Sequence, residues 1–256
     1  MEGIYFIFYT YSFFIGICIA SFINVVIWRV PQKLSIAKGR SFCPNCKHEL
    51  KWMDLIPIFS YLFLRGKCRY CGDKIPMRDT MIECIGGIFA VFCFWKYPFQ
   101  VEALFVFLLF VILLAITMID FDTMEIPNGL VLMLFIPIIG MLFVQTDVSV
   151  IDRIVGFFSV SLPMYVLTRC IPDCFGGGDI KLIAVCGILL GWKLTLFATF
   201  VSLLLGGGYA IYLLLRKKTE KDCYMAFGPY LSVGIMVSLL YGNEIIHSYL
   251  MFFGLI

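Results

Sequence analysis

Two sets of side chains in this sequence have types and spacings that could do chemistry. The first is a pair of Cys-x2-Cys turns, Cys43-Pro44-Asn45-Cys46 and Cys68-Arg69-Tyr70-Cys71, with 21 residues between them. Two such turns can close on one tetrahedral ion, and soft thiolates select zinc over magnesium or calcium. With Cys43, Cys46, Cys68 and Cys71 all serving as ligands, no position is left for a catalytic water, so the ion would be structural. A redox dithiol is the competing reading, and the presence of two matched pairs speaks against it. The other seven cysteines show no ligand spacing and read as small apolar side chains.

The second set is acidic. Glu83, Asp120, Asp122 and Asp179 lie in or beside long apolar stretches, where a carboxylate is expensive and marks function by default. Asp120 closes the run Met118-Ile119-Asp120, with Pro127-Asn128 just beyond; Asp179 follows Gly176-Gly177-Gly178. If Asp120 and Asp179 meet, like charges a few ångströms apart hold one proton between them. The carboxylate can then draw a proton from water while the acid polarises a peptide carbonyl, with no metal and no covalent intermediate. Gly176, Gly177 and Gly178 would let a substrate backbone come close. The plain alternatives are a helix N-cap for Asp179 and an interfacial acid for Asp120 and Asp122. Asp122, two residues on from Asp120, faces away from it on a helix. Glu83 pairs with a loop cation or lines the site.

These groups have to be positioned by apolar elements. Of the 256 residues, 61% are hydrophobic and 14% charged, against about 45–50% and about 25% in a soluble domain. That excludes a soluble globular enzyme and a disordered chain. With a net charge of only +3 there is also no basic surface for nucleic acid. Uncharged runs such as 4–28, 103–119 and 194–215 approach or exceed the ~20 residues a helix needs to cross a bilayer. The first has no basic n-region and is too long for a signal h-region, so it is expected to remain as a span. Eight spans are expected, near 4–28, 81–96, 101–119, 127–145, 151–171, 179–191, 194–215 and 228–252. The fold class is therefore an all-α polytopic membrane protein of about eight transmembrane helices.

Residues 29–79 form the one long polar loop, between the first two helices, and hold eleven of the 20 Lys and Arg. Basic loops stay in the cytoplasm. With eight spans, the cluster Arg216-Lys217-Lys218 with Lys221 falls on the same side, as do Arg169 and Lys181, placing 17 of the 20 cations inside. A cytoplasmic loop disfavours disulfides, which strengthens the zinc reading. Anionic lipid or substrate is a further role for the basic loop. The domain division is 1–28 as first transmembrane helix, 29–80 as a cytoplasmic zinc-knuckle loop and 81–256 as a helical bundle carrying the acids.

The order of these motifs resembles a known family. Ser21-Phe22-Ile23-Asn24 running to Arg29-Val30-Pro31, the paired cysteines, Leu55-Ile56-Pro57, Leu64-Arg65-Gly66-Lys67, the Glu83 region, Asp120 with Pro127-Asn128, and Gly176-Gly177-Gly178-Asp179 with Lys181-Leu182 all recur. Together they are similar to the bacterial prepilin peptidases, or type IV leader peptidases, which are GxGD-type intramembrane aspartyl proteases. The resemblance covers nearly the whole chain. It implies an enzyme of the bacterial cytoplasmic (inner) membrane whose active site faces the cytoplasm. Its substrates would be prepilins or pseudopilins, cleaved after a glycine to remove a short basic leader. It also implies N-methylation of the new terminus with S-adenosylmethionine, since members that keep the cysteine loop are typically bifunctional. On this basis Asp120 and Asp179 are the catalytic aspartates, and Gly66 and Lys67 are associated with methylation. There is no glycine-rich dinucleotide-type fingerprint to locate the methyl donor. Asp122, Glu125 and Asp173 could attract the basic leader. Two other classes fit the same residues: an ion-coupled secondary transporter built on intramembrane acids, and a membrane scaffold with a zinc knuckle for docking.

Overall fold

The computed structural model describes residues 2–145, 148–171, 174–215 and 225–254. Asp173, Cys223 and the cations Arg216, Lys217, Lys218 and Lys221 lie outside the described residues. Helices make up the regular structure, and the β-pairing among the described residues amounts to two isolated bridges, Phe42–Glu49 and Lys67–Lys74. The chain forms two compact units, Met1–Val111 and Ile112–Ile256.

In the first unit, α1 (Glu2–Arg29) is apolar along its length and ends on a cation. A one-turn helix at Trp52–Leu55 and the short α2 (Phe59–Phe63) lie in the polar loop. Helix α3 (Met77–Lys96) starts directly after Pro76 and stops at Tyr97, the residue before Pro98, which is pushed out of helical geometry by the proline ring. Small residues join α1 to α3. A Cβ built on Gly16 would lie 2.6 Å from the Ala90 Cβ and 2.8 Å from the Gly86 carbonyl, and one on Gly87 would lie 2.5 Å from Ile17 Cγ2. In lipid, where apolar burial does not drive helices together, such close approach supplies the attraction. Asn24 Nδ2 donates to the Asp79 carbonyl at 3.0 Å and ties α1 to the start of α3.

Helix α4 (Val101–Thr123) brings the chain into the second unit. There α5 (Asn128–Met133) and α6 (Phe135–Val144) form one apolar stretch, and α7 (Val150–Ser159) and α8 (Ser161–Cys170) another. Helix α9 (Gly177–Leu215) is broken at Gly191, whose φ of 69° and ψ of 170° suit glycine, and α10 (Gly228–Phe252) closes the unit. Helix α7 meets the first half of α9 backbone to backbone: a Cβ on Gly156 would strike the Gly187 carbonyl oxygen, and the reverse holds as well. The buried Arg153 fastens the same corner, donating to the carbonyls of Gln145 at 2.8 Å, Val148 at 3.2 Å and Ile188 at 3.3 Å.

Every stretch expected to be apolar and helical is helical. Five helices are long and apolar enough to cross a membrane: 3–29, 101–123, 150–170, 177–215 and 228–252, with 128–144 a shorter apolar one. The count of eight is thus approximate. The sixth and seventh expected spans are the two arms of α9, separated by the single residue Gly191, and α3 is not among the five. The outward faces carry exposed Phe, Leu and Ile, for example Ile136, Phe143, Phe158 and Leu204, as a lipid-contacting surface requires. Cys93 and Cys186 are buried as expected, but Cys18, Cys170 and Cys174 are exposed.

The glycines offer a paired test. Gly187→Leu should lower the melting temperature of the detergent-solubilised protein, with overpacking costing about 1–3 kcal/mol. Gly208→Ala, with nothing within 4 Å of the added Cβ, should leave it unchanged or raise it. Equal melting of both variants would contradict the packing described.

Candidate active site and metal centre

Asp120 occupies the last turn of α4 and Asp179 the first turn of α9, so both acids stand at helix ends. They are 4% and 7% exposed, values that carboxylates reach only when something specific holds them. What holds Asp120 is the backbone N–H of Gly228 at the start of α10, which donates to Asp120 Oδ2 at 2.9 Å. Asp179 Oδ1 is buried with no hydrogen-bond partner among the described residues. Ile126 sits between their supports, touching the positions where a Cβ would stand on Gly178 (2.6 Å) and on Gly228 (3.3 Å). Phe175 and Phe227, 6.0 Å apart between ring centroids, bring the two glycine turns side by side.

The glycines here serve space, since Gly176, Gly177 and Gly178 have no positive φ. A Cβ on Gly176 would come within 2.9 Å of Asp179 Oδ2 and one on Gly178 would collide with Ile126, whereas one on Gly177 would meet nothing within 4 Å among the described residues. Lys181 Nζ donates to Asn128 Oδ1 at 2.8 Å, joining the start of α5 to α9 two residues on from Asp179. Asp122 and Glu125 are exposed. Glu83 belongs to the first unit, where its Oε2 accepts the Ile58 N–H at 2.8 Å. It fixes a turn in which Ile58 takes the rare φ of 63°. Sequence reasoning missed Gly228 and Ile126; the Gly228-Pro229 pair opening the last apolar run was the available signal.

The polar loop builds a second constellation. The thiols of Cys43, Cys46, Cys68 and Cys71 all lie within 4.8 Å of one another, and Cys43 Sγ is 3.9 Å from Cys71 Sγ. Four sulfurs at ~2.3 Å from a tetrahedral zinc stand about 3.8 Å apart, so the set fits a metal ion. The two turns are copies of each other, an internal repeat too short to stand out in the sequence. The Lys47 N–H bonds the Cys43 carbonyl at 2.9 Å and the Gly72 N–H the Cys68 carbonyl at 2.9 Å. The Cys43 N–H bonds the His48 carbonyl at 3.0 Å and the Cys68 N–H the Asp73 carbonyl at 2.7 Å. Lys47 and Gly72, each directly after a second cysteine, have positive φ of 59° and 73°. The backbone N–H of Cys46 holds the Cys43 thiol down to about 7, favouring the thiolate a metal needs.

Around this centre, His48 stacks on Tyr70 at 3.6 Å between centroids. Asp54 receives Arg69 Nε at 2.7 Å, Tyr70 Oη at 3.2 Å and the Lys51 N–H at 3.2 Å. Burial pushes the Asp54 carboxyl up, but these bonds outweigh it and hold it below the ordinary carboxylate range. Its contribution to the fold of the loop is therefore fully present at neutral pH and is lost as pH falls through that lowered value. Gly66, with φ of 68°, leaves room for the Tyr61 hydroxyl, 2.9 Å from where its Cβ would be, and Lys67 is exposed beside it. Replacing Cys43 by Ser should strip the purified protein of a bound metal measured by elemental analysis. Unchanged metal content would rule this centre out.

The similarities to known proteins run along the whole chain. The profile described as Bacterial Peptidase A24 N-terminal domain matches residues 14–97, and that of the Type IV leader peptidase family matches residues 107–211. A prepilin leader peptidase/N-methyltransferase of Bacillus subtilis is 32% identical, over 93% of this chain and 96% of its own. One of Stutzerimonas stutzeri is 31% identical over 93% and 92%, and one of Pseudomonas putida 29% identical over 99% and 97%. No solved structure matches. The transporter alternative gains no support from these similarities. The chain belongs to the type IV leader peptidase family and is a multi-pass inner-membrane enzyme.

Proposed function

We propose that this enzyme removes the short basic leader of type IV prepilins and pseudopilins at the cytoplasmic face of the membrane, and then N-methylates the exposed terminus. The observation that carries the peptidase reading is the burial of Asp120 and Asp179 at two helix ends whose supporting glycines, Gly228 and Gly178, both lie against Ile126. In this reading the pair holds one proton and titrates as a unit. The carboxylate takes a proton from water, the hydroxide equivalent attacks the scissile carbonyl, and the acid donates its proton to the carbonyl oxygen. The tetrahedral intermediate then collapses with proton delivery to the leaving amine, restoring the shared proton. Gly177 leaves the scissile backbone room, and the substrate's own apolar helix packs against the lipid-facing helices. The exposed acids Asp122 and Glu125 attract the basic leader.

The division of labour follows the chain: residues 1–28 anchor, 29–80 form the knuckle loop and 81–256 the peptidase bundle. Cys43, Cys46, Cys68 and Cys71 would hold a structural zinc that gives the loop the core its polar sequence lacks. When bound, S-adenosylmethionine would supply the methyl group for the second reaction, with the new amine as acceptor. Gly66 and Lys67 act in this second reaction by shaping the second knuckle.

Purified protein mixed with a prepilin in detergent should shorten it. Asp120→Asn and Asp179→Asn should each lose a factor of about 10³ or more, in keeping with loss of a general acid or base. Gly228→Ala pushes a Cβ to within 2.7 Å of Asp120 Oδ2 and should lower the rate by on the order of 10²-fold through misplacement of the carboxyl. Undiminished cleavage by either asparagine variant would sink the proposal. A leader with its basic residues reversed in charge should be cut more slowly, and a mature terminus one methyl group heavier by mass spectrometry would establish the second step.

A further inference from the structure

One cavity in the first unit plays no part in the chemistry described so far. It encloses about 490 Å³ where α1 ends and the first knuckle begins, a size ordinary for small-molecule sites. Arg29 forms its floor. Only 7% exposed, this residue donates to the carbonyls of Ser35, Ile36, Lys38, Gly39 and Arg40 at 2.8–3.5 Å. The chain from 35 to 40 is thereby folded back over the end of α1 as one wall. Because the guanidinium meets carbonyls and no carboxylate, its full positive charge stays beneath the cavity.

The opposite wall is aromatic. Trp28 and Phe42 stand edge to face, 5.5 Å apart between centroids, and Trp28 remains 42% exposed, so ring surface is still open. Lys38 and Lys47 add cations to the lining, Lys47 Nζ lying 5.4 Å from the Phe42 centroid. Glu49, ion-paired with Arg40 at 3.3 Å, is the acid in the lining. A ligand matching all of this needs a flat aromatic base, a carboxylate and an amine. An inorganic phosphate would use the cations and leave both aromatic rings without a role. A nucleoside joined to an amino acid uses every group, the base on Trp28 and Phe42, the carboxylate at Lys38 and Lys47 and the ammonium at Glu49.

We propose that this cavity is the binding site of the methyl donor, S-adenosylmethionine, with Arg29 as the residue that positions its wall. The proposal rests on the methyl-transfer reading above and adds a location to it. In this placement the donor sits at the end of a membrane-crossing helix, where an amine on an apolar substrate helix can reach it. It also links the motif ending at Arg29 to the first knuckle, because Phe42 directly precedes Cys43.

The test is calorimetric titration of the full-length protein in detergent with S-adenosylhomocysteine, the unreactive thioether product. Wild type should bind it. Trp28→Ala and Lys38→Glu should each weaken binding by about tenfold or more, the size expected for loss of one aromatic stack or reversal of one ligand-facing charge. Their melting temperatures report that they are folded. Wild-type affinity in both variants overturns the site while leaving methyl transfer standing. A wild-type protein that neither binds the thioether nor adds a methyl group overturns the site together with the reading beneath it.

Discussion

Among the described residues, the carboxyl of Asp120 is held by one backbone N–H, that of Gly228, and the placement of this acid depends on how near that backbone can come. A side chain on Gly228 would occupy the place of Asp120 Oδ2, and side chains on Gly176 and Gly178 would displace Asp179 or Ile126. Removing three Cβ atoms is therefore what allows two acids from separate helices to be buried together. An apolar surround makes burial of an acid costly unless it is bonded or shares a proton, and in the proposed mechanism the two acids share one. Asp179 Oδ1 is buried with no hydrogen-bond partner among the described residues.

The same economy of side chains runs through the helices. Gly16, Gly86 and Gly87 join α1 to α3, and Gly156 with Gly187 joins α7 to α9, each by backbone contact. In lipid these contacts replace the hydrophobic drive that packs soluble helices. The polar loop meets the opposite problem, with too little apolar surface for a core. It answers with four thiols gathered to the spacing of a metal shell, two copied turns, and the Asp54–Arg69–Tyr70 cluster that braces them.

Much of this was legible in the sequence. Long uncharged runs have one physical solution in a bilayer, so the helical stretches could be read directly. The cysteine spacing carried its own geometry, and Asp120 and Asp179 stood out because charge in such runs is expensive. Less visible was how a single glycine, Gly191, divides α9, since its effect lies in a backbone angle. Gly228 and Ile126 escaped because neither residue type does chemistry; they matter through a contact across 108 residues and through shape. The similarity of the two knuckles is likewise a backbone property, with Lys47 in one and Gly72 in the other adopting the same left-handed turn.

The most direct measurement of the paired acids is the affinity of a leader peptide in which the scissile amide is replaced by a hydroxyethylene group, whose hydroxyl imitates the tetrahedral intermediate. If Asp120 and Asp179 grip that hydroxyl together, wild type should bind the analogue at least about 10²-fold more tightly than the unmodified peptide. Asp120→Asn and Asp179→Asn should then lose that advantage to a similar degree. Retention of wild-type affinity by either variant would contradict a site in which the two carboxyls act as one.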